Sequence, residues 1–197
     1  YGADTMRLYE MFIGDFEKSA PWSTSSVRGC KRFLERFAAL DEMIKDVKDE
    51  ELERSLHRTI KKVTNDIEDM KFNTAIAAMM SFINEVYAKG GIDKESLKTF
   101  TLILCPFAPH ICEEMWERLG GEGLCSLAPW PAYDEEKTKT SEIEIAFQVC
   151  GKTKGTVLVP AGCDEDTAFG IVMANEKFAQ YVNGKTILKK IFVKDRI

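Results

Sequence analysis

Phe72-Asn-Thr-Ala-Ile-Ala-Ala-Met-Met-Ser-Phe-Ile-Asn84 and Leu104-Cys-Pro-Phe-Ala-Pro-His-Ile-Cys-Glu-Glu-Met-Trp116 are the stretches whose reading decides the fold. In and just after the first, Phe72, Ile76, Met79, Met80, Ile83, Val86 and Tyr87 recur at three- and four-residue steps, the stripe of a helix with one buried side. That spacing assigns them to a bundle core and not to a cofactor box. Gly90-Gly91 ends the stripe, where glycine can take the left-handed geometry favoured past a helix C-terminus. In the second stretch, Pro106 and Pro109 must break a helix that is capped by Asp93 and carries Leu97, Phe100, Ile103 and Leu104. Pro109 is pre-set for a first helical turn, so a new helix restarts there with Ile111, Cys112, Met115, Trp116 and Leu119 and stops at Gly120-Gly121.

Upstream, two more stripes follow the same period. One runs Cys30, Phe33, Leu34, Phe37, Leu40, Ile44, Val47, and the next Leu52, Leu56, Ile60, Val63, Ile67, Met70. Residues 1–26 read as a lead-in segment with a short helix from Thr5 to Phe12 and a break at Pro21-Trp22. Residues 27–121 then predict an antiparallel helical bundle. After a linker at 122–138 the period changes to two: Ile143, Ile145, Phe147 and Val149 alternate with Glu144, Ala146 and Gln148. Cys150-Gly151 predicts a tight hairpin turn before a strand at Thr156–Val159. A helix over Asp164–Tyr181 and a strand over Thr186–Val193 complete a β-β-α-β order. The expected fold is mainly α, a helical bundle followed by a small α+β domain at 139–197.

The 197 residues are 45% hydrophobic and 30% charged, the composition of a globular protein. No run reaches the roughly 18 to 20 apolar residues of a membrane span. The first residues, Tyr1-Gly-Ala-Asp-Thr-Met-Arg7, have neither an initiator Met nor a secretory leader and read as a piece of a longer protein. Six cysteines scattered without CxxC pairs favour reduced thiols in the cytoplasm over a disulfide scaffold. The net charge of −5 divides unequally, −7 over residues 1–138 and +2 over 139–197.

Candidate catalytic and metal motifs fail on spacing. Gly151-Lys152-Thr153 and Gly184-Lys185-Thr186 resemble the end of a Walker A loop, but the required upstream glycine is Ala146 or Ala179. His110, Glu113 and Glu114 share a helix face in an inverted-zincin order whose last ligand would have to be His. Cys105 and Cys112 straddle both prolines. No metal site, cofactor site or catalytic residue is therefore expected in this chain. Two basic groups remain: Arg54, Arg58, Lys61 and Lys62 on the second stripe's helix, flanked by Glu51, Glu53, Asp66 and Glu68, and the group of Lys152, Lys154, Lys185, Lys189, Lys190, Lys194 and Arg196 in the cationic tail. Both are candidates for phosphate contact, and the second has fewer competing carboxylates.

The two opening stretches closely resemble the anticodon-binding bundle of class I aminoacyl-tRNA synthetases of the leucine, valine, isoleucine and methionine group. Tyr1-Gly-Ala-Asp-Thr-Met-Arg-Leu-Tyr-Glu-Met-Phe12 with Pro21-Trp22 resembles the segment leading into that bundle in bacterial-type leucyl-tRNA synthetases. Phe147-Gln-Val-Cys-Gly-Lys-Thr-Lys-Gly155 and Val159-Pro160 are similar to the C-terminal domain of the same family and favour leucine among the four. Two positions depart from the family pattern: Cys150 stands where Asn is usual and Lys154 where Arg is common. The HIGH and KMSKS signatures are absent from the quoted sequence, as is an editing domain.

The resemblance implies a parent ligase that uses ATP and Mg2+ to join leucine to tRNA(Leu). It implies that this portion is inactive alone and holds the tRNA body, with the small domain touching its outer corner. The implied partners are tRNA(Leu) and the catalytic and editing domains of the same chain, in a monomer without membrane attachment. The chain would also stop, at Ile197, short of the family's last strand. Two alternatives stay open, the same region of a valine or isoleucine enzyme and a helical protein-interaction scaffold without RNA.

Overall fold

The computed structural model describes residues 1–14, 18–139, 142–182, 184, 187, 189–193 and 196–197, and groups them into two compact units that divide between Thr138 and Lys139. In the first unit, α1 (Ala3–Phe12), α2 (Thr24–Ala38), α3 (Glu50–Glu68), α4 (Phe72–Lys89), α5 (Lys94–Leu104) and α6 (Pro109–Arg118) surround one core. The stripe on α4 is buried as its spacing predicts: Ile76, Met79, Ile83 and Val86 are sealed, while Phe72, Met80 and Tyr87 pack at the rim. Phe82, three residues after Met79 and four before Val86, is also buried and stacks on Phe100 with ring centroids 5.0 Å apart. Side-chain oxygens of Ser23, Asp49 and Asp93 accept the first N–H groups of α2, α3 and α5, meeting donors that a helix cannot satisfy internally.

The break at the prolines is held from the far end of the chain. The Arg7 guanidinium donates to the Pro106 carbonyl at 3.1 and 2.9 Å, and the Asp4 carboxylate accepts from the Ile111 N–H at 2.8 Å. Leu8 and Tyr9 lie between these contacts in the core, so the lead-in segment is a full member of the bundle. Its helix packs on α2, α4 and α6.

Three expectations are corrected in this unit. The stripe that begins at Cys30 does not continue helically to Val47: α2 gives way to a 3-10 turn at Ala39–Met43 and then to β1 (Ile44–Lys45), leaving Ile44 39% and Val47 77% exposed. The chain has to become extended there to reach Asp49, and β1 pairs in parallel with β2 (Ile92–Asp93). Gly91 permits that pairing, because any side chain would run into the Met43 carbonyl. Met70 is not core either. It sits at φ 58 in the turn between α3 and α4, and its side chain is exposed. Residues 122–138 do not hang free as a linker: a 3-10 turn at Cys125–Leu127 packs on α5 and α6, and α7 (Glu135–Thr138) packs on α3.

The second unit is built on an antiparallel hairpin of β3 (Glu142–Val149) and β4 (Lys152–Pro160), followed by α8 (Glu165–Ala174) and α9 (Glu176–Ala179). Its small core comprises Ile145, Val157, Val159, Ala168, Val172, Phe178 and Ala179. The helix expected over Asp164–Tyr181 is split at Asn175, whose extended backbone ends α8 and whose side chain caps α9. The strand expected over Thr186–Val193 is not found among its described residues. Ile187, Ile191 and Val193 are exposed, and only Phe192 packs on the core, so no alternation of buried side chains fixes a strand there. Lys185, Thr186 and Lys194 lie outside the described residues.

Ile76 is completely enclosed. Replacing it with alanine is expected to cost about 2–5 kcal/mol of stability, measured by urea unfolding of the whole chain, with little change in the slope against denaturant. A loss near zero would contradict the packing of α4.

Candidate nucleic-acid interface

The two basic groups reach different electrostatic states. On α3, the Lys61 ammonium donates to both Glu135 oxygens at 2.9 and 2.7 Å, and Lys62 pairs with Asp66, a buried carboxylate that also accepts from the Thr74 hydroxyl at 2.7 Å. Lys137 and Lys48 both donate to Glu53 on the same helix, at 2.6 and 2.8 Å. Arg54 and Arg58 are half-buried and form no ion pair among the described residues. Half of this group is thus neutralised, Lys62 by Asp66 of the acidic flank seen in the sequence and Lys61 by Glu135 of α7.

The second unit is different. Cys150 at φ 50 and Gly151 at φ 74 make the tight turn, which sets Val149 opposite Lys152. Two residues on, the register slips: Phe147 faces Gly155 while Gln148 faces Thr153, so Lys154 is the extra residue of a β-bulge. Gly155 beside it lets Phe178 lie directly on the strand, since a Cβ there would stand 2.7 Å from the Phe178 ring. Phe178 also packs on Phe147 at 5.3 Å between centroids. One turn later Tyr181 donates its N–H to the Phe178 carbonyl at 3.0 Å, which brings its ring to Lys154, 5.0 Å from the ammonium. Lys190 stands 3.9 Å from the centroid of Phe169 on α8.

Among the described residues, Lys152, Lys154, Lys189 and Lys190 pair with no carboxylate. Lys152, Lys189 and Lys190 are exposed, and Lys154 is half-buried. Lys185 lies outside the described residues. Four ammonium groups without internal counter-charge can neutralise an external polyanion at little cost, because no ion pair has to break first. Sequence spacing gives no sign of Tyr181 or Phe169 as site residues, since Lys154 and Lys190 lie far from them along the chain and only the fold brings each lysine to its ring.

The residues that resembled a metal site have separate duties. His110 Nδ1 lies 2.7 Å from Asp4, Glu113 accepts the N–H groups of Cys125 and Ser126 at 2.7 and 2.9 Å, and Glu114 pairs with Arg118. Gly151 closes a two-residue hairpin turn and Lys152 opens β4, a geometry that cannot wrap a phosphate.

Residues 49–168 match the family described as the anticodon-binding domain of tRNA ligase. The chain belongs to that family. Among relatives of this anticodon-binding family member, the Leucine--tRNA ligase of Alkaliphilus oremlandii (strain OhILAs) is 48% identical over 199 residues, covering 100% of this chain and 25% of that protein. The Leucine--tRNA ligase of Prosthecochloris aestuarii is 42% identical over 205 residues, again covering 100% of this chain and 25% of the relative. The chain therefore spans about a quarter of the length of these relatives. A solved LeuRS–tRNA–LeuAMS ternary complex of Agrobacterium radiobacter K84 agnB2 superposes with a TM-score of 0.78 at 29% identity, over 100% of this chain and 28% of that one. The anticodon-binding family match runs from the cap of α3 through the hairpin and into α8.

Acid should release α7 and the residue before it from α3 in two stages. Asp134 donates its N–H to His57 Nδ1 at 3.1 Å, which requires that nitrogen to be unprotonated. Burial, and then the Lys137 charge, holds the imidazole below its ordinary 6.5. Hydrogen bonds from Lys137 and Lys48 hold Glu53 at about 2, below its ordinary 4.5. Both folded values are depressed, so each contribution is full above the unfolded value and is lost as pH falls through the folded one. The thermal midpoint is expected to fall first below pH 6.5 and again between pH 4.5 and 2, and Glu53→Gln should make the second fall smaller, the depressed carboxyls of Asp49, Asp69, Glu113 and Asp164 keeping the remainder. A Glu53→Gln variant whose second fall is as large as the parent's would refute the assignment.

Proposed function

We propose that this chain is the tRNA-holding portion of a leucine–tRNA ligase, a monomeric enzyme of the cytoplasm that joins leucine to tRNA(Leu). The observation that carries the reading is the set of four ammonium groups, Lys152, Lys154, Lys189 and Lys190, left without carboxylate partners in the one cationic segment of an acidic chain. The relatives named Leucine--tRNA ligase, which match over the full chain, and the similarity to a ligase structure that contains tRNA support it. The same relatives favour leucine over a valine or isoleucine enzyme. Activation, transfer and proofreading belong to other parts of such a ligase. ATP and Mg2+ do not fit the described residues, since the only complete Gly-Lys-Thr among them runs from a hairpin turn straight into β4 and the acidic groups near His110 are already engaged.

In this reading the lysines contact phosphates, because an ammonium is a point charge without the planar fork that recognises bases. Neutralising Lys152 and Lys154 together to glutamine is expected to weaken binding of several different tRNAs by similar factors. The slope of log affinity against log salt should also fall by up to about 1 per lost contact. A filter-binding series over salt reads both quantities. Unchanged affinity and slope would move the contact elsewhere, to the Arg54 and Arg58 face of α3. A wild-type chain without a salt-dependent tRNA complex would favour the protein-interaction scaffold. The isolated chain is also expected to give no leucine-dependent pyrophosphate exchange.

A further inference from the structure

Two aromatic rings in the second unit are placed in a way that its small core does not require. The core is completed by Phe147 and Phe178, the pair that Gly155 admits to the strand. Tyr181 and Phe169 lie outside that pair, half-exposed, each with a lysine ammonium over or beside its ring at 5.0 and 3.9 Å. Neither lysine has a carboxylate partner among the described residues. We propose that Tyr181 and Phe169 are stacking platforms for unpaired nucleobases of the bound RNA, and that Lys154 and Lys190 take the phosphates next to those bases.

The inference rests on the tRNA-binding reading and adds to it a second kind of contact, to bases that have left the helical stack. Every base has a π-face, so stacking on an aromatic side chain recognises an unpaired nucleotide without selecting its identity. A base inside a duplex has both faces covered and offers no surface to either ring. In the RNA-free protein, attraction between ammonium and ring keeps each lysine close to its ring. A phosphate attracts the ammonium more strongly than a neutral ring does, so the arriving backbone draws the lysine aside and opens the ring face to the base beside it. The bulge at Lys154 is what aims this side chain at Tyr181, because the extra residue re-directs the strand locally.

The experiment compares the whole 197-residue chain with Tyr181→Leu, Tyr181→Trp and Lys154→Gln. The probes are a short unpaired oligoribonucleotide and a duplex of the same sequence, titrated over a range of salt. Tyr181→Leu is expected to weaken binding of the unpaired probe by about tenfold, leave the duplex nearly unchanged, and keep the salt slope of the parent. Lys154→Gln should lower the slope by about 1 for both probes. Tyr181→Trp keeps a ring and should retain affinity, its added indole emission being quenched when the unpaired probe binds. Equal binding of the unpaired probe by Tyr181→Leu and the parent overturns the proposal, as does unquenched Tyr181→Trp emission in a complex that has demonstrably formed. If the parent chain binds neither RNA, the tRNA-holding reading itself fails, an outcome distinct from the loss of stacking alone.

Discussion

Two prolines three residues apart forbid a continuous helix, and the backbone groups they strand have to be met from outside the break. The bundle depends on how this is done. Pro106 cannot donate an N–H, yet its carbonyl remains, and Arg7 meets it with two donors. Pro109 starts α6 without an N–H to satisfy, but the next two residues expose theirs, and both lie against the Asp4 carboxylate, Ile111 at 2.8 Å. A carboxylate at a helix N-terminus is favoured by the helix dipole as well as by its hydrogen bonds. The side chains that resolve the break are carried by α1, so α1 has to lie across α6. Its Leu8 and Tyr9 are then the natural filling of the space between. Tyr9 extends the linkage further, accepting the Ser23 N–H at 2.8 Å just before α2 begins.

Charge is handled in opposite ways in the two units. In the bundle, Lys61 and Lys62 on α3 are matched by Glu135 and Asp66, and the acidic Glu53 by two lysines, which leaves only Arg54 and Arg58 of that basic group without an ion pair among the described residues. The second unit leaves its lysines uncompensated and gives two of them aromatic neighbours instead. A neutral ring holds an ammonium near a defined place without cancelling its charge. The net charge of −5 for the whole chain would point away from a nucleic acid, and it is the local distribution that reverses the conclusion.

Local rules made much of this legible in the sequence. The α4 stripe, the Asp93 cap, the Pro109 restart and the Cys150-Gly151 turn each depend on residues within a few positions of one another, and all are found. What could not be read depends on distant chain. Ile44 and Val47 keep a helical period, but the backbone leaves the helix because Ile92 offers a partner strand and Asp49 needs an extended approach. Asp4 and Arg7 look like ordinary surface charges until α6 is placed beside them. In the site, the candidate lysines were visible as a basic tail, whereas the slip that makes Lys154 a bulge residue has no sequence signature beyond the neighbouring Gly155. Tyr181 gains its meaning only when Phe178 docks one turn earlier.

The two-residue parallel pair of β1 and β2 has a kinetic meaning. All of α3 and α4 lies between its strands, so Ile44 and Ile92 are far apart along the chain and cannot find each other by local search. Closing so long a loop costs entropy that two ladder residues cannot repay alone. The α3–α4 hairpin must assemble first and carry the strand ends together, after which Gly91 can slip under the Met43 carbonyl. This small ladder is therefore a late event in folding. It closes only over a correctly formed hairpin and then latches the start of α5 against the chain that leaves the 3-10 turn after α2.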